Sequence, residues 1–84
     1  MLALDGNAIA GLLVEIFGEE MTTASGECAN CGDRRQIAEL EVYLRAPGTV
    51  VRCRSCTSVL MVVVVSRGIN CVDLHGLAEL QRGA

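Results

Sequence analysis

The sequence predicts a small α+β fold, an antiparallel β-sheet with one N-terminal amphipathic helix packed against it. Three observations predict it. Apolar residues near the start recur at helical spacing, an alternating segment in the middle turns back on itself, and two Cys-x-x-Cys pairs bracket that segment. The chain of 84 residues fits one domain, 1–84. A chain this short buries only about 60–65 % of the surface that its unfolded form exposes. Chains of this size commonly add a disulfide framework, a metal or a second subunit to become stable. Half of the residues are apolar, but Phe17 and Tyr43 are the only aromatic ones, so Val, Leu, Ile and Ala must form the core.

The helix is expected over residues 5–17. Asp5 is positioned to cap it, Leu4 and Ile9 have the spacing of a hydrophobic staple, and Gly18 stands where a left-handed C-terminal residue is wanted. Ile9, Leu12, Leu13 and Ile16 fall on one face, with Phe17 beside them. A short strand is expected over Met21 to Ala24, leading into a Ser/Gly/Asn/Asp-rich loop over 25–33.

From 37 to 44, Ala38, Leu40, Val42 and Leu44 alternate with Glu39, Glu41 and Tyr43, the pattern of a half-buried strand. Ala46-Pro47-Gly48-Thr49 supplies a type II turn, and Val50 and Val51 return the chain to Cys53, so 37–53 reads as a hairpin. Val59 to Val65 is continuously apolar and β-branched. That suits a central strand over 58–65, covered on both faces. Ser66-Arg67-Gly68 makes a turn and 69–74 a last strand. Leu77 and Leu80 in the tail have the spacing of a helical turn.

The cysteines carry the chemistry. Cys28, Cys31, Cys53 and Cys56 read C-x2-C-x21-C-x2-C. Two residues between cysteines make a tight knuckle that aims both sulfurs at one ion, and two facing knuckles give the tetrahedral S₄ site that zinc favours. The hairpin between the pairs is the right length to bring the second knuckle back to the first. Gly32 suits the reversed backbone after Cys31, whereas Thr57 fits the corresponding position less well. The expected cofactor is therefore one structural Zn²⁺, with iron in the same S₄ geometry as the other metal to consider. Cys71 is left over and reads as a small buried apolar residue in a strand; His75 reads as a turn residue.

Arg34, Arg35, Arg52 and Arg54 flank the knuckle cysteines. They read first as groups that offset thiolate charge, and second as a small patch for phosphate. The formal net charge is −3, and a Zn²⁺ held by four thiolates adds about −2 more. An acidic surface without interleaved aromatics does not favour nucleic acid or an anionic membrane. No nucleophile–base arrangement is visible, and four thiolates close a zinc to substrate, so the chain is not expected to be an enzyme. No secretory signal and no membrane-spanning run are visible, which points to the reducing cytoplasm.

Several segments resemble a family of short bacterial proteins known only as a domain of unknown function. They are Asp5-Gly6-Asn7-Ala8, Glu15-Ile16-Phe17-Gly18, Cys28-Ala29-Asn30-Cys31-Gly32, Val42-Tyr43-Leu44-Arg45-Ala46-Pro47-Gly48, the pair Cys53 and Cys56, and Val72-Asp73-Leu74-His75-Gly76. The resemblance covers nearly the whole chain and extends more broadly to zinc ribbons. It implies the same four ligands and brings no activity. The expected function is a non-catalytic, zinc-supported protein-interaction module, with a homodimer expected if the apolar strand lies at an edge. A nucleic-acid- or ribosome-associated ribbon using the four arginines is the first alternative, and a thiol redox or metal sensor the second.

Overall fold

Asp5 begins the first helical segment, as expected: its Oδ1 accepts a hydrogen bond from the Asn7 N–H at 3.1 Å. In this computed structural model, which describes residues 4–45 and 48–82, the segment is not one helix. Leu4–Asp5 forms a short strand (β1), Gly6–Ile9 a 3₁₀ turn, and Ala10–Phe17 the α-helix (α1). Leu4 pairs with Val42 across a sheet and stays exposed, so it does not act as a staple. Gly18 ends the helix at φ +76°, and its N–H donates to the Val14 carbonyl. Ile9 and Leu13 are buried; Leu12, Ile16 and Phe17 pack against the same core.

The remaining strands are β2 (Ser25–Cys28), β3 (Arg34–Gln36), β4 (Glu41–Arg45), β5 (Gly48–Arg52), β6 (Val59–Ser66), β7 (Ile69–Asp73) and β8 (Leu77–Gln81). They form two antiparallel sheets, a five-stranded one in the order β1-β4-β5-β6-β7 and a three-stranded one in the order β3-β2-β8. Val42, Val51, Met61 and Val63 line one face of the larger sheet, and with Ile9, Leu13, Met21, Ala24, Ile37 and Leu40 they make one continuous core.

Three local expectations are corrected, and a fourth lies partly outside the described residues. Met21–Ala24 is a turn in which Met21, Thr22 and Ala24 are buried, and the strand begins only at Ser25, inside the segment expected to be loop. Ile37–Glu39 is a 3₁₀ turn rather than the start of a strand. There the Gln36 N–H donates to Glu39 Oε1 at 3.3 Å, which turns Ile37 inward in place of Ala38. Of the type II turn expected over 46–49, residues 46 and 47 lie outside the described residues; Gly48 and Thr49 are in β5, paired with Arg45 and Leu44. The tail is a strand, not a helical turn. Its register on β2 shifts between Glu27 and Cys28, pairing Leu80 with Gly26 and Leu77 with Cys28. That irregularity lets two leucines three apart reach the core side of a strand.

Strand β6 is interior, between β5 and β7, as expected. It is not covered on both faces: Met61 and Val63 are buried, Val62 and Val64 are half-buried, and Val65 is exposed. Among the described residues, no helix is long and apolar enough to cross a membrane.

Candidate metal centre

Each sheet contributes one cysteine knuckle. The first lies in the turn between β2 and β3, the second in the turn between β5 and β6. A single sheet carrying both knuckles was the expectation; the structure instead places them on two sheets that meet there. The knuckles are built alike. The Cys28 carbonyl accepts from the Gly32 N–H at 2.9 Å, and the Cys28 N–H donates to the Asp33 carbonyl at 2.9 Å. The Cys53 carbonyl accepts from the Thr57 N–H at 2.9 Å, and the Cys53 N–H donates to the Ser58 carbonyl at 2.9 Å. Both knuckles need a left-handed residue at the same place, met by Gly32 at φ +76° and by Thr57 at φ +64°.

Thr57 is the strained member of this pair, because a left-handed L-residue costs roughly 1–2 kcal/mol. The Arg52 guanidinium donates to its carbonyl at 2.9 Å, which any residue would preserve. Thr57→Gly is therefore expected to stabilise the metal-loaded protein by about 1 kcal/mol, a rise of roughly 4–8 °C in Tm at this size. Thermal unfolding followed by circular dichroism reads it, and an unchanged or lower Tm would show that the threonine is not strained.

The Sγ atoms of Cys28, Cys31, Cys53 and Cys56 all lie within 4.8 Å of one another. Cys28 and Cys56 are 3.6 Å apart at sulfur, as are Cys31 and Cys53. Sulfurs placed tetrahedrally about 2.3 Å from a metal are roughly 3.8 Å from each other, so the cluster has the size of an S₄ metal site. The backbone is arranged for thiolates as well. The N–H groups of Asn30 and Cys31 point at the Cys28 sulfur at 3.4 and 3.5 Å, and the Asn30 side-chain amide points at the Cys56 sulfur at 3.5 Å.

Proton affinities follow from this crowding. The Asn30 amide, with help from Ser58, holds the Cys56 thiol down to about 5. The Asp33 backbone pulls Cys31 down, but desolvation and the neighbouring thiols of Cys53, Cys56 and Cys28 outweigh it and push Cys31 up to about 12. Four sulfurs this close cannot all ionise without a cation between them, which is the condition a bound dication meets. The donor set therefore fits a thiophilic metal ion.

The flanking arginines are engaged within the protein. Arg34 pairs with Glu27 and Glu79, and Arg35 with Asp33 and Glu39. Arg54 donates to the Glu39 carbonyl, and Arg52 lies 5.9 Å from the centre of the Tyr43 ring. Asp33, which sequence reasoning did not single out, ties the knuckles together. Its Oδ2 accepts from Ser55 Oγ in the second knuckle and from Arg35 Nε, both at 2.6 Å. Ser55 and Arg35 hold the Asp33 carboxyl below the usual carboxylate range, so it is ionised throughout the neutral range.

Gly76 was likewise legible only as part of a resemblance. Its N–H donates to the Leu60 carbonyl at 3.2 Å, and its carbonyl accepts from Ala29 in the first knuckle at 2.9 Å. It therefore links the two sheets beside the metal site. Cys71 is exposed, contrary to the buried position expected, because β7 is the last strand of its sheet. His75 lies in a turn and is not part of the four-cysteine cluster; its N–H donates to Asp73 Oδ1 at 2.8 Å.

Fold and site together define an α+β protein whose two small sheets converge on a cluster of four cysteines able to hold a metal ion. The chain belongs to the family of unknown function DUF6510, whose model matches residues 1–83. No curated protein and no solved structure matches it.

Proposed function

We propose that the chain is a non-catalytic zinc-ribbon protein in which one Zn²⁺, held by Cys28, Cys31, Cys53 and Cys56, clamps the two sheets into a platform for protein interaction. One observation carries this reading: four sulfurs from turns of two different sheets lie within 4.8 Å of one another. Zinc suits four thiolates in a tetrahedron and has no geometry of its own to impose. Four thiolates also leave no open coordination position for a substrate, which supports a structural ion over a catalytic one. The charge pairing of Arg34 and Arg35 with carboxylates supports a protein partner over a nucleic acid, since neither guanidinium is left free for phosphate. The net charge of −3 acts in the same direction.

Native mass spectrometry of protein purified without added metal tests the reading. One zinc per chain is the expected result. Iron in its place would change the cofactor, and a folded chain with no metal would overturn the proposal. Zinc ejected by mild peroxide and restored by thiol would favour the sensor reading instead.

A further inference from the structure

Strand β7 ends the larger sheet and no described strand covers its outer side. At the opposite edge, the described part of β1, Leu4–Asp5, pairs with Val42 and Glu41 of β4. β7 has five residues, Ile69–Asp73, without Pro, Gly or Lys, and its ladder with β6 runs from Ser66↔Ile69 to Val62↔Asp73 without a bulge. Apart from Asp73 at its end, this edge lacks the charges, prolines and bulges that discourage pairing. It is also apolar on both faces: Ile69, 64 % exposed, and Cys71 lie on one, and the exposed Val65 and Val72 on the other.

The turn into β7 sets which backbone groups face outward. Arg67 and Gly68 both have positive φ, +53° and +76°, as a type I′ turn requires. In that turn the Ile69 N–H points back to Ser66. Antiparallel hydrogen bonding alternates, so Ile69, Cys71 and Asp73 face β6, and Asn70 and Val72 present their N–H and C=O groups outward.

We propose that this edge pairs with the same edge of a second copy, joining the two five-stranded sheets across a two-fold axis at Cys71. The inference rests on the interaction reading above and names its partner. A two-fold normal to the sheet keeps the same face outward in both copies, so residues of equal parity must oppose each other. Only the register centred on Cys71 overlaps all five residues. It sets Asn70 opposite Val72 of the second copy as a hydrogen-bonded pair, twice. It sets Cys71 opposite Cys71 as a non-hydrogen-bonded pair, where Cα atoms approach to about 4.5 Å, within reach of a disulfide. Ile69 then faces Asp73 of the second copy. Arg67 lies just beyond, next to that aspartate, so each end of the seam carries opposite charges; Arg67 makes no ion pair among the described residues.

Native mass spectrometry of the full chain purified without added metal, with light scattering in solution, tests this. A dimer is expected for the wild type and for Cys71→Ser. Val72→Pro removes one outward donor from each copy and should weaken dimerisation roughly thirty-fold. Cys71→Lys, at an exposed site, should give a folded monomer by setting like charges opposite each other at the axis. Diamide, which takes up the two protons and two electrons released, should link wild-type dimers through Cys71. A monomeric wild type, a dimer that survives both Val72→Pro and Cys71→Lys, or a dimer that never links through Cys71 would overturn the proposal. The same spectra report metal, so a zinc-free dimer sinks the function proposed above and leaves the edge pairing standing. A zinc-loaded monomer does the reverse.

Discussion

Replacing Cys53 by serine should unfold most of the protein. A domain of 84 residues has a net stability of roughly 4–12 kcal/mol, and structural zinc in small peptides contributes on the order of 10 kcal/mol or more at neutral pH. The two quantities are of the same size, so weakening the metal site removes most of what separates folded from unfolded chain. Cys53 is the most sensitive choice because it belongs both to the cysteine cluster and to the core, 1 % exposed and packed in the central cluster with Val51 and Leu60. Excess chelator on the wild-type protein should act in the same direction.

With one Tyr and no Trp, near-ultraviolet signals are weak, so the dispersion of the amide spectrum is the better readout. The three-stranded sheet should loosen first, since its strands are three to five residues long. Amides of Ser25–Cys28 and Leu77–Gln81 then exchange before those of β5 and β6. A Cys53→Ser protein with the dispersed spectrum of the wild type would refute the structural role of the metal.

Gly76→Ala is expected to cost about 3 kcal/mol or more. A methyl group there would meet the Val59 carbonyl oxygen at 1.9 Å and the Leu60 Cα at 2.6 Å. Both are backbone atoms of β6, so no side chain can move aside; the strand or the turn must shift. A shift also breaks the Gly76 hydrogen bonds to Leu60 and Ala29, and with them the link between the sheets next to the first knuckle. Zinc affinity should fall together with stability. Gly11→Ala is the control. Nothing lies within 4 Å of the added carbon, and alanine in a helix interior is favoured by roughly 0.5–1 kcal/mol. Chemical denaturation with a chelator titration reads both effects, and equal stability for the two variants would refute the close-packing account of Gly76.

The clustering of the four cysteines was legible in the sequence because its signal is covalent spacing. The helix was legible in its buried face and its Gly18 stop. Its first turn was not, since Asp5 also belongs to a strand paired with Glu41. Ile37 and Leu80 were misplaced for a shared reason. Periodicity assumes a regular element, and here a 3₁₀ turn and a register shift reset the phase. The exposure of Cys71 was illegible because alternation tells which residues share a face but not which strand ends a sheet. Asp33 and Gly76 act through tertiary contacts that no local pattern encodes.

The four clustered cysteines are not equivalent toward solvent. Cys28 and Cys53, the leading residue of each knuckle, are sealed in the core, whereas Cys31 is exposed and Cys56 partly so. A competing chelator or oxidant therefore approaches from the Cys31 flank. With an ion bound, the outer sulfurs would be the first to exchange, and the inner two would keep it anchored until the end.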